Sequence, residues 1–427
     1  MTYSSIAFRS LKYEPKRYLL LFVAASFGIA LAICSFGLLN GMMNSLHSKA
    51  KIYYGGDMML MQNSNGSIGF YNTSETIKKL EPYFNSKDIL LSSRIDVDLS
   101  EMYFIYEGVS IKQRKLKGVD FSKEQILFDK MDFIEGDAKK IKETNGVLIS
   151  ISLAELLNVH VGDSITLLFS TTNNFTNTAN LIVKGIFQDS SVFGANVSYL
   201  DIDFLRSIRN YSTNYSISIG LFSKDGTKIT LNPMVLQNEL KSFFDMYPMV
   251  QEKDDFIKNP HKTMGKTALI TLDANMQEIN FLILALRIII YIIIAVLIII
   301  IAIGIGSTYK VIAVKRTKEI GMYMALGLSS NGIIKLFIIE VFYLMLFAFI
   351  CSNFIMLIMA NIISSLDLSL IPAIDIFLMN GKLLVQPKFF QILLILGIVV
   401  VTTMILVYFT IRRCVNINPV EALSVTE

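Results

Sequence analysis

The 427-residue sequence has no tryptophan, only three cysteines and three histidines, and eight prolines. Cys34 and Cys351 fall inside long apolar runs and Cys414 just follows another, so the polar middle of the chain has no thiol. No disulfide can staple a domain there, and its stability must come from an ordinary hydrophobic core. His47, His160 and His261 lie far apart, and neither a His-x-x-x-His nor a Cys-x-x-Cys spacing occurs, so the usual metal-ligand patterns are missing. No catalytic residue and no metal ligand is assigned. Charge is scarce at 17% of residues, with 39 Lys and Arg against 35 Asp and Glu, and a balance of +4 gives no sign of nucleic-acid binding.

What the chain has in quantity is apolar side chains, 53% of all residues, with a mean hydropathy of +0.52. These gather into four runs, Tyr18 to Leu39, Phe281 to Ile305, Ile333 to Ile363 and Phe389 to Ile411. Each reaches the roughly 20 helical residues needed to cross a hydrocarbon core of about 30 Å. The expected fold is an α-helical membrane protein with four transmembrane helices and a large α+β extracytoplasmic domain inserted between helices 1 and 2. The expected segments are a cytoplasmic start (1–17), helix 1 (18–40), the external domain (41–280), helix 2 with its stalk (281–309), a cytoplasmic connection (310–332), helix 3 (333–363), an external loop (364–388), helix 4 (389–411) and a cytoplasmic tail (412–427).

Orientation follows from the flanks, because Lys and Arg accumulate on the cytoplasmic side of membrane spans. Arg9, Lys12, Lys16 and Arg17 precede the first run, Lys310, Lys315, Arg316 and Lys318 lie between the second and third, and Arg412 and Arg413 follow the fourth. The connection between runs three and four has only Lys382 and Lys388. Both termini are therefore expected inside and the large domain outside. Ala30-Leu31-Ala32 resembles a signal-peptide cleavage site, but the apolar run of about 22 residues is too long for a signal peptide and reads as an uncleaved anchor. The Ile-, Asn- and Lys-rich composition is that of an AT-rich bacterial genome.

Within the external domain, Ile52 to Gln62, Ile165 to Phe169, Leu181 to Phe187 and Tyr215 to Leu221 read as strands, and Ser74 to Phe84, Ser152 to Leu157 and Pro233 to Tyr247 as helices. Ser170 to Asn180, rich in Asn and Thr, reads as a hairpin tip or loop. Gly265-Lys266-Thr267 copies the end of a phosphate loop, but the glycine required five residues earlier is Pro260, so this fragment is read as a connector.

If the second apolar run continues as one helix from Glu278 to about Lys315, it is roughly 57 Å long at 1.5 Å per residue and must project as a stalk. After it, Ile320, Tyr323, Met324 and Gly327 recur at helical spacing below a cationic head. A short amphipathic helix of this kind can lie on a membrane or fit a groove on a partner, and periodicity leaves both open.

Lys315-Arg316-Thr317-Lys318-Glu319-Ile320-Gly321, then Ala325-Leu326-Gly327, then Glu340 opening a span, resembles the R-T-x-E-I-G-x-x-x-A-L-G…E signature of FtsX-like ABC transporter permeases. Gly118-Val119-Asp120, Gly146-Val147-Leu148-Ile149-Ser150, Val161-Gly162-Asp163, Val183-Lys184-Gly185-Ile186-Phe187 and the ending Asn418-Pro419-Val420-Glu421-Ala422-Leu423 agree in family order. The resemblance implies a type VII, mechanotransmission permease of the bacterial inner membrane with a MacB-like periplasmic domain and no chemistry of its own. It implies that Lys315, Arg316, Thr317, Lys318, Glu319, Ile320, Gly321, Ala325, Leu326 and Gly327 form the coupling helix that docks into a separate dimeric ABC ATPase. ATP and Mg would be bound by that partner, with no cofactor in this chain. With 17 residues before the first span, an ATPase fused at the N-terminus, as in MacB-type proteins, is not expected.

Within the family, Gly28-Ile29-Ala30-Leu31 and Asn40-Gly41-Met42 look most like the lipoprotein-releasing branch, although Ser424 stands where that branch usually has arginine. This implies a second permease subunit, lipoprotein cargo and a periplasmic carrier, with membrane lipid contacts and a substrate cavity involving Asn40, Met42, Met43, Phe281 and Leu284. Peptide or macrolide export, or an FtsX-like scaffold for an extracytoplasmic enzyme, are the alternatives. Glu340 and Arg287, ionisable groups inside spans, are functional candidates or snorkelling side chains, and Gly28, Gly304 and Gly306 are read as helix-packing points.

Overall fold

The computed structural model describes residues 3–13, 15–98, 101–139, 141–142, 144–173, 175–189, 191, 193–369 and 371–415. The family-like ending at 418–423 and Ser424 lie outside the described residues. The chain divides into two compact units, one from Met1–Met42, Leu284–Leu366 and Leu383–Glu427, the other from Met43–Ile283 and Asp367–Lys382.

The first unit is helical. Helices, numbered along the whole chain, are α1 (Tyr3–Tyr13), α2 (Pro15–Tyr54, through Met42 in this unit), α11 (Gln277–Lys315, from Leu284), α12 (Thr317–Ala325), α13 (Ser330–Ser365) and α14 (Phe389–Val415). Four of them, those of 40, 39, 36 and 27 residues, are long and apolar enough to span a membrane. Helix is the form these runs take because only a helix satisfies every backbone group within one segment when no water is at hand. The chain is a membrane protein.

The core of this unit interleaves small and branched residues: Ala25, Ile29 and Ile33 of α2, Ile301, Ile305 and Tyr309 of α11, Phe337, Val341 and Leu344 of α13, and Ile395, Val399 and Val407 of α14. Gly28 is a packing point, since a Cβ there would come 2.6 Å from Ile301 Cδ1. Gly304 is not: a Cβ would meet nothing within 4 Å, and Gly306 would make only an ordinary 3.6 Å contact with Leu406. The expectation is corrected for Gly304, because this stretch of α11 is uncovered on one side, where Ile289, Ile293, Ile300 and Ile303 are all exposed, and it holds for Gly306, which is buried against Leu406. A bare apolar face of this extent is suited to lipid or to another subunit.

The second unit is built on a mixed sheet of thirteen strands: β1 (Met58–Ser64), β2 (Ser67–Ile68), β3 (Ile89–Asp98), β4 (Tyr103–Tyr106), β5 (Val109–Lys112), β6 (Lys115–Val119), β7 (Phe133–Gly136), β8 (Gly146–Ser150), β9 (Ser164–Ser170), β10 (Thr176–Phe187), β11 (Val197–Asp201), β12 (Ser218–Ser223) and β13 (Thr267–Thr271). Their order is β13-β1-β12-β3-β6-β11-β8-β10-β9-β4-β5, with β2 on β1 and β7 on β10. The pairs β6/β11 and β8/β10 are parallel, the rest antiparallel. The helices are α3 (Thr73–Asn85), α4 (Phe121–Phe128), α5 (Ile151–Leu157), α6 (Ile202–Arg209), α7 (Pro233–Leu240), α8 (Asp254–Ile257), α9 (Pro260–Thr263) and α10 (Leu272–Asn275), with a 3-10 turn over Pro372–Phe377.

Two of the short family-like motifs mark where strands become helices, while Val161-Gly162-Asp163 leads into β9 and Val183 to Phe187 lies within β10. Gly118-Val119 ends β6 and Asp120 caps α4 by accepting from Ser122 N, while Gly146 to Ser150 is β8 and Ser150 caps α5 by accepting from Leu153 N. Asp201 does the same between β11 and α6. An N-cap oxygen satisfies one of the four amides that a helix start leaves open, so each motif fixes both a strand end and a helix start.

Several boundaries differ from the sequence reading. Ile52, Tyr53 and Tyr54 are the last turn of α2, not a strand; the helix stops where Gly55 (φ +84°) and Gly56 (φ +137°) return their amides to Lys51 O at 2.8 and 2.9 Å. The strand then starts at Met58 and is buried on both faces, with Met58 and Leu60 in one core and Met59 and Met61 in another. Asn180 and its neighbours belong to β10 as far back as Thr176, and Ser170 belongs to β9, so the strands take up more than half of the stretch read as a hairpin tip or loop. Helix α7 ends at Leu240, seven residues earlier than expected. Gly265 (φ +72°) does turn the chain into β13, as a connector should.

Candidate functional site

At the end of α11 the helix bends at Arg316, whose backbone (φ −100°, ψ 17°) leaves the α region just before α12 begins. The guanidinium does not extend into solvent. It is 3% exposed and turns back into the helical unit, where Nη1 donates to Glu340 Oε1 and Oε2 at 3.1 and 3.0 Å and to Tyr18 Oη at 3.1 Å. Its Nε donates to Glu319 Oε2 at 2.7 Å, and the group lies 4.9 Å from the Phe337 ring centroid. Glu340 is fully buried and also accepts from Ser10 Oγ at 3.1 Å and from Tyr18 Oη. Arg17 reaches Glu319 at 3.5 Å. The buried Arg316–Glu340 pair thus ties together α1, α2, α12 and α13.

A buried ion pair of this kind gains little net stability, because desolvation offsets most of the attraction. Its geometric consequence is larger: a planar guanidinium with four acceptors fixes the direction in which α12 leaves α11. Glu340 is therefore no snorkelling residue.

The expected coupling residues divide by face. Arg316, Ile320 and Gly321 are buried, Thr317 and Glu319 are half-buried, and Lys315, Lys318, Ala325, Leu326 and Gly327 are exposed. The periodic set Ile320, Tyr323 and Met324 packs against the helical core, so the apolar stripe seen in the sequence is this helix's own footing. The outward apolar residues are Leu326, 74% exposed, and Met322, 49% exposed, flanked by Lys315 and Lys318. Met322 was not among the residues read from the sequence; its place on the opposite face, two positions after Ile320, was the available signal. Gly327 (φ +89°) takes the left-handed turn that ends α12, and nothing lies within 4 Å of where its Cβ would be, so glycine is required there by conformation and not by crowding.

Of the residues expected at a substrate cavity, Asn40 donates to Gln386 O at 3.0 Å and to Gln391 Oε1 at 2.5 Å, while Met42 is half-buried and Met43 is buried. Phe281 and Leu284 are 81% and 55% exposed. Gly41 has no room for a side chain, since a Cβ would stand 1.7 Å from Leu384 O. A distinct apolar groove of about 530 Å³ runs between α2 and α11 within the helical unit, walled by Leu20, Ala24, Gly28, Leu297, Ile300 and Gly304. None of the five expected residues lines it.

Among the described residues no group of three His, Cys, Asp or Glu side chains could hold a metal. His47 is bound to Met43 O through Nδ1 at 2.6 Å, and His160 Nδ1 lies 3.1 Å from Glu135. The arrangement around Arg316 contains no activated nucleophile; it holds a helix.

Residues 291–419 match the FtsX-like permease C-terminal family, a stretch that takes in most of α11 and all of α12, α13 and α14. Comparison with curated proteins found no match.

Proposed function

This chain is an FtsX-like ABC permease by its C-terminal domain, and from that premise we propose that it is the transmembrane subunit of a mechanotransmission complex driven by a separate ABC ATPase. The observation that carries this reading is the outward face of α12, where Met322 and Leu326 stand exposed between lysines on a helix whose other side is clamped by Arg316. A helix that cannot turn is a suitable lever for a partner that moves. Both α2 and α11 are unbroken over 40 and 39 residues, about 60 Å each at 1.5 Å per residue, and each has residues in both compact units. Motion imposed at α12 has continuous helices to travel along.

The test is a substitution on the outward face. Leu326→Asp should leave the protein folded and inserted, because Leu326 is 74% exposed. Central residues of a helix-in-groove contact typically contribute about 2 kcal/mol or more, about thirtyfold in affinity. The ATPase subunit should accordingly be lost from co-purification. Retention at parental stoichiometry would reject the docking role. Glu319→Lys is a poor substitute, since it also puts a lysine against Arg316 and Arg17.

In this reading both termini are cytoplasmic and the mixed-sheet unit is periplasmic, supported by the basic flanks of the first, second and fourth runs. A cysteine at Asn65 should react with an impermeant reagent added to intact cells, and one at Ser329 should not; the reverse pattern would invert the topology. The cargo class that fits best is lipoprotein taken from the outer leaflet of the inner membrane. Support comes from the apolar groove between α2 and α11, whose small residues Ala24, Gly28 and Gly304 leave room for an acyl chain. A lipidated substrate should stimulate the assembled ATPase, and Ala24→Trp should abolish that stimulation while leaving basal hydrolysis intact. Stimulation by the unlipidated protein to the same extent would point to peptide export instead.

A further inference from the structure

In the mixed-sheet unit, a polar cavity of about 210 Å³ opens among the last turn of α2, strands β3 and β6, and the segment from α8 to the start of α11. The strand register builds two of its walls. Asp96 pairs with Lys117 and Asp98 with Lys115 across the antiparallel β3/β6 ladder, so opposite charges project side by side. Lys117 Nζ lies 2.9 Å from Asp96 Oδ2 and 3.9 Å from the Tyr53 ring centroid, and Lys115 Nζ donates to Tyr53 Oη at 2.8 Å.

These contacts leave a remainder of both signs. Asp96 Oδ1 and Asn275 Oδ1 are buried with no hydrogen-bond partner among the described residues. Lys253 lines the same cavity, and its Nζ makes no hydrogen bond among the described residues; burial holds this ammonium below its ordinary range even though Asp96 pulls the other way. Burial likewise brings Lys117 down to about 8 despite its contact with Asp96. Asp254, also on the wall, is taken by Lys258 at 2.5 Å. Buried polar groups are nearly always satisfied, so unpartnered buried oxygens on two residues that line one space, with the half-buried Lys253 on the same wall, point to an occupant.

A simple cation would leave Lys253 unmatched, and a simple anion would sit against Asp96. The complement is a molecule with an ammonium donor at one end and an anionic oxygen group at the other. The space is large enough for a small headgroup. Glu278 lines the cavity one turn before Phe281, where the apolar run of α11 begins. We propose that this cavity binds a zwitterionic phosphate–ammonium group of the phosphoethanolamine class, with the phosphate on Lys253 and the Tyr53 hydroxyl and the ammonium on Asp96 Oδ1 and Asn275 Oδ1. The inference stands apart from ATPase docking, which involves the other unit.

The experiment uses the full-length protein and glycerophosphoethanolamine as the probe, followed by calorimetry, with inorganic phosphate and ethanolamine as comparators. Glycerophosphoethanolamine should bind at least about tenfold more tightly than either half alone, and Lys253→Met and Asn275→Leu should each weaken it about tenfold, as expected for one charge-assisted or buried hydrogen bond. Lys224→Met, at the exposed ion pair with Asp88, should change nothing. Native mass spectrometry from phosphatidylethanolamine nanodiscs then identifies the source. Lipid retained by the parent and lost by Lys253→Met assigns a membrane headgroup, whereas probe binding without lipid retention assigns a soluble molecule; either supports the site. No binding of the probe, phosphate binding equally tight, or both variants binding like the parent would overturn it.

Discussion

Glu340→Leu should destabilise the detergent-solubilised protein by about 3–5 kcal/mol, because it removes the fully buried partner of the Arg316 guanidinium, itself 3% exposed, and leaves it only the half-buried Glu319. Adding Arg316→Met should recover most of that loss, since an apolar pair of similar volume removes both desolvation costs. Coupling should not recover with it. The double variant lacks the bonds from Arg316 to Tyr18, Glu319 and Glu340 that set the angle of α12. Thermal unfolding and cargo-stimulated ATPase activity, measured on the same three preparations, check this. If the double variant regains coupling together with stability, the buried pair has no positioning role.

Arg94→Met should have an effect of the same size in the mixed-sheet unit and a different pattern of rescue. Arg94 is fully buried on β3, where its Nε donates to both carboxylate oxygens of Glu124 at 2.9 and 3.0 Å and its Nη1 donates to Ile52 O and Tyr53 O at 2.7 and 3.1 Å. The last two are carbonyls at the C-terminus of α2, which have no intrahelical donor and sit at the negative end of the helix dipole. Removing the arginine leaves Glu124 buried and unpaired and also uncaps the helix, for an expected loss of about 3–5 kcal/mol. Here Glu124→Leu should recover only part, because the α2 carbonyls stay unpaired. Arg94→Lys should rescue poorly, since one ammonium cannot span a carboxylate and two carbonyls. Unfolding midpoints that return to parental values in Arg94→Met/Glu124→Leu would show that the cap contributes nothing.

These two arginines also mark the limit of what sequence could convey. The four membrane helices are legible because apolar runs of that length have no other stable form, whereas Asp120 and Ser150 enter the sequence reading only within family-like motifs, although as caps they act on amides just two or three positions away. Arg316 was legible as part of a family motif, yet among the basic residues of a cytoplasmic flank it read as a surface charge. Its partners Tyr18 and Glu340 are 298 and 24 residues away, and no local pattern links them. Ile52-Tyr53-Tyr54 reads as strand because β-branched and aromatic residues favour strands; tertiary packing of Ile52 and Tyr53, capped by Arg94, decides otherwise. The polar half of β10 reads as a hairpin tip or loop because it is rich in Asn and Thr, and with its side chains largely exposed there is no apolar alternation to detect. The amphipathic stripe of α12 was detected correctly as a pattern, but an apolar stripe marks a packed face without saying what it packs on, and here it packs on the chain's own helices.

The docking of α12 on a separate ATPase is tested most directly by contact. A photo-crosslinking amino acid placed at Leu326 should form an adduct with an ABC ATPase subunit in native membranes, and the same probe at Ile320, which is buried at 3% exposure, should not. An adduct at Leu326 with lipid alone, or an ATPase adduct that forms from Ile320 and not from Leu326, would contradict the assignment of the outward face of α12 as the coupling surface.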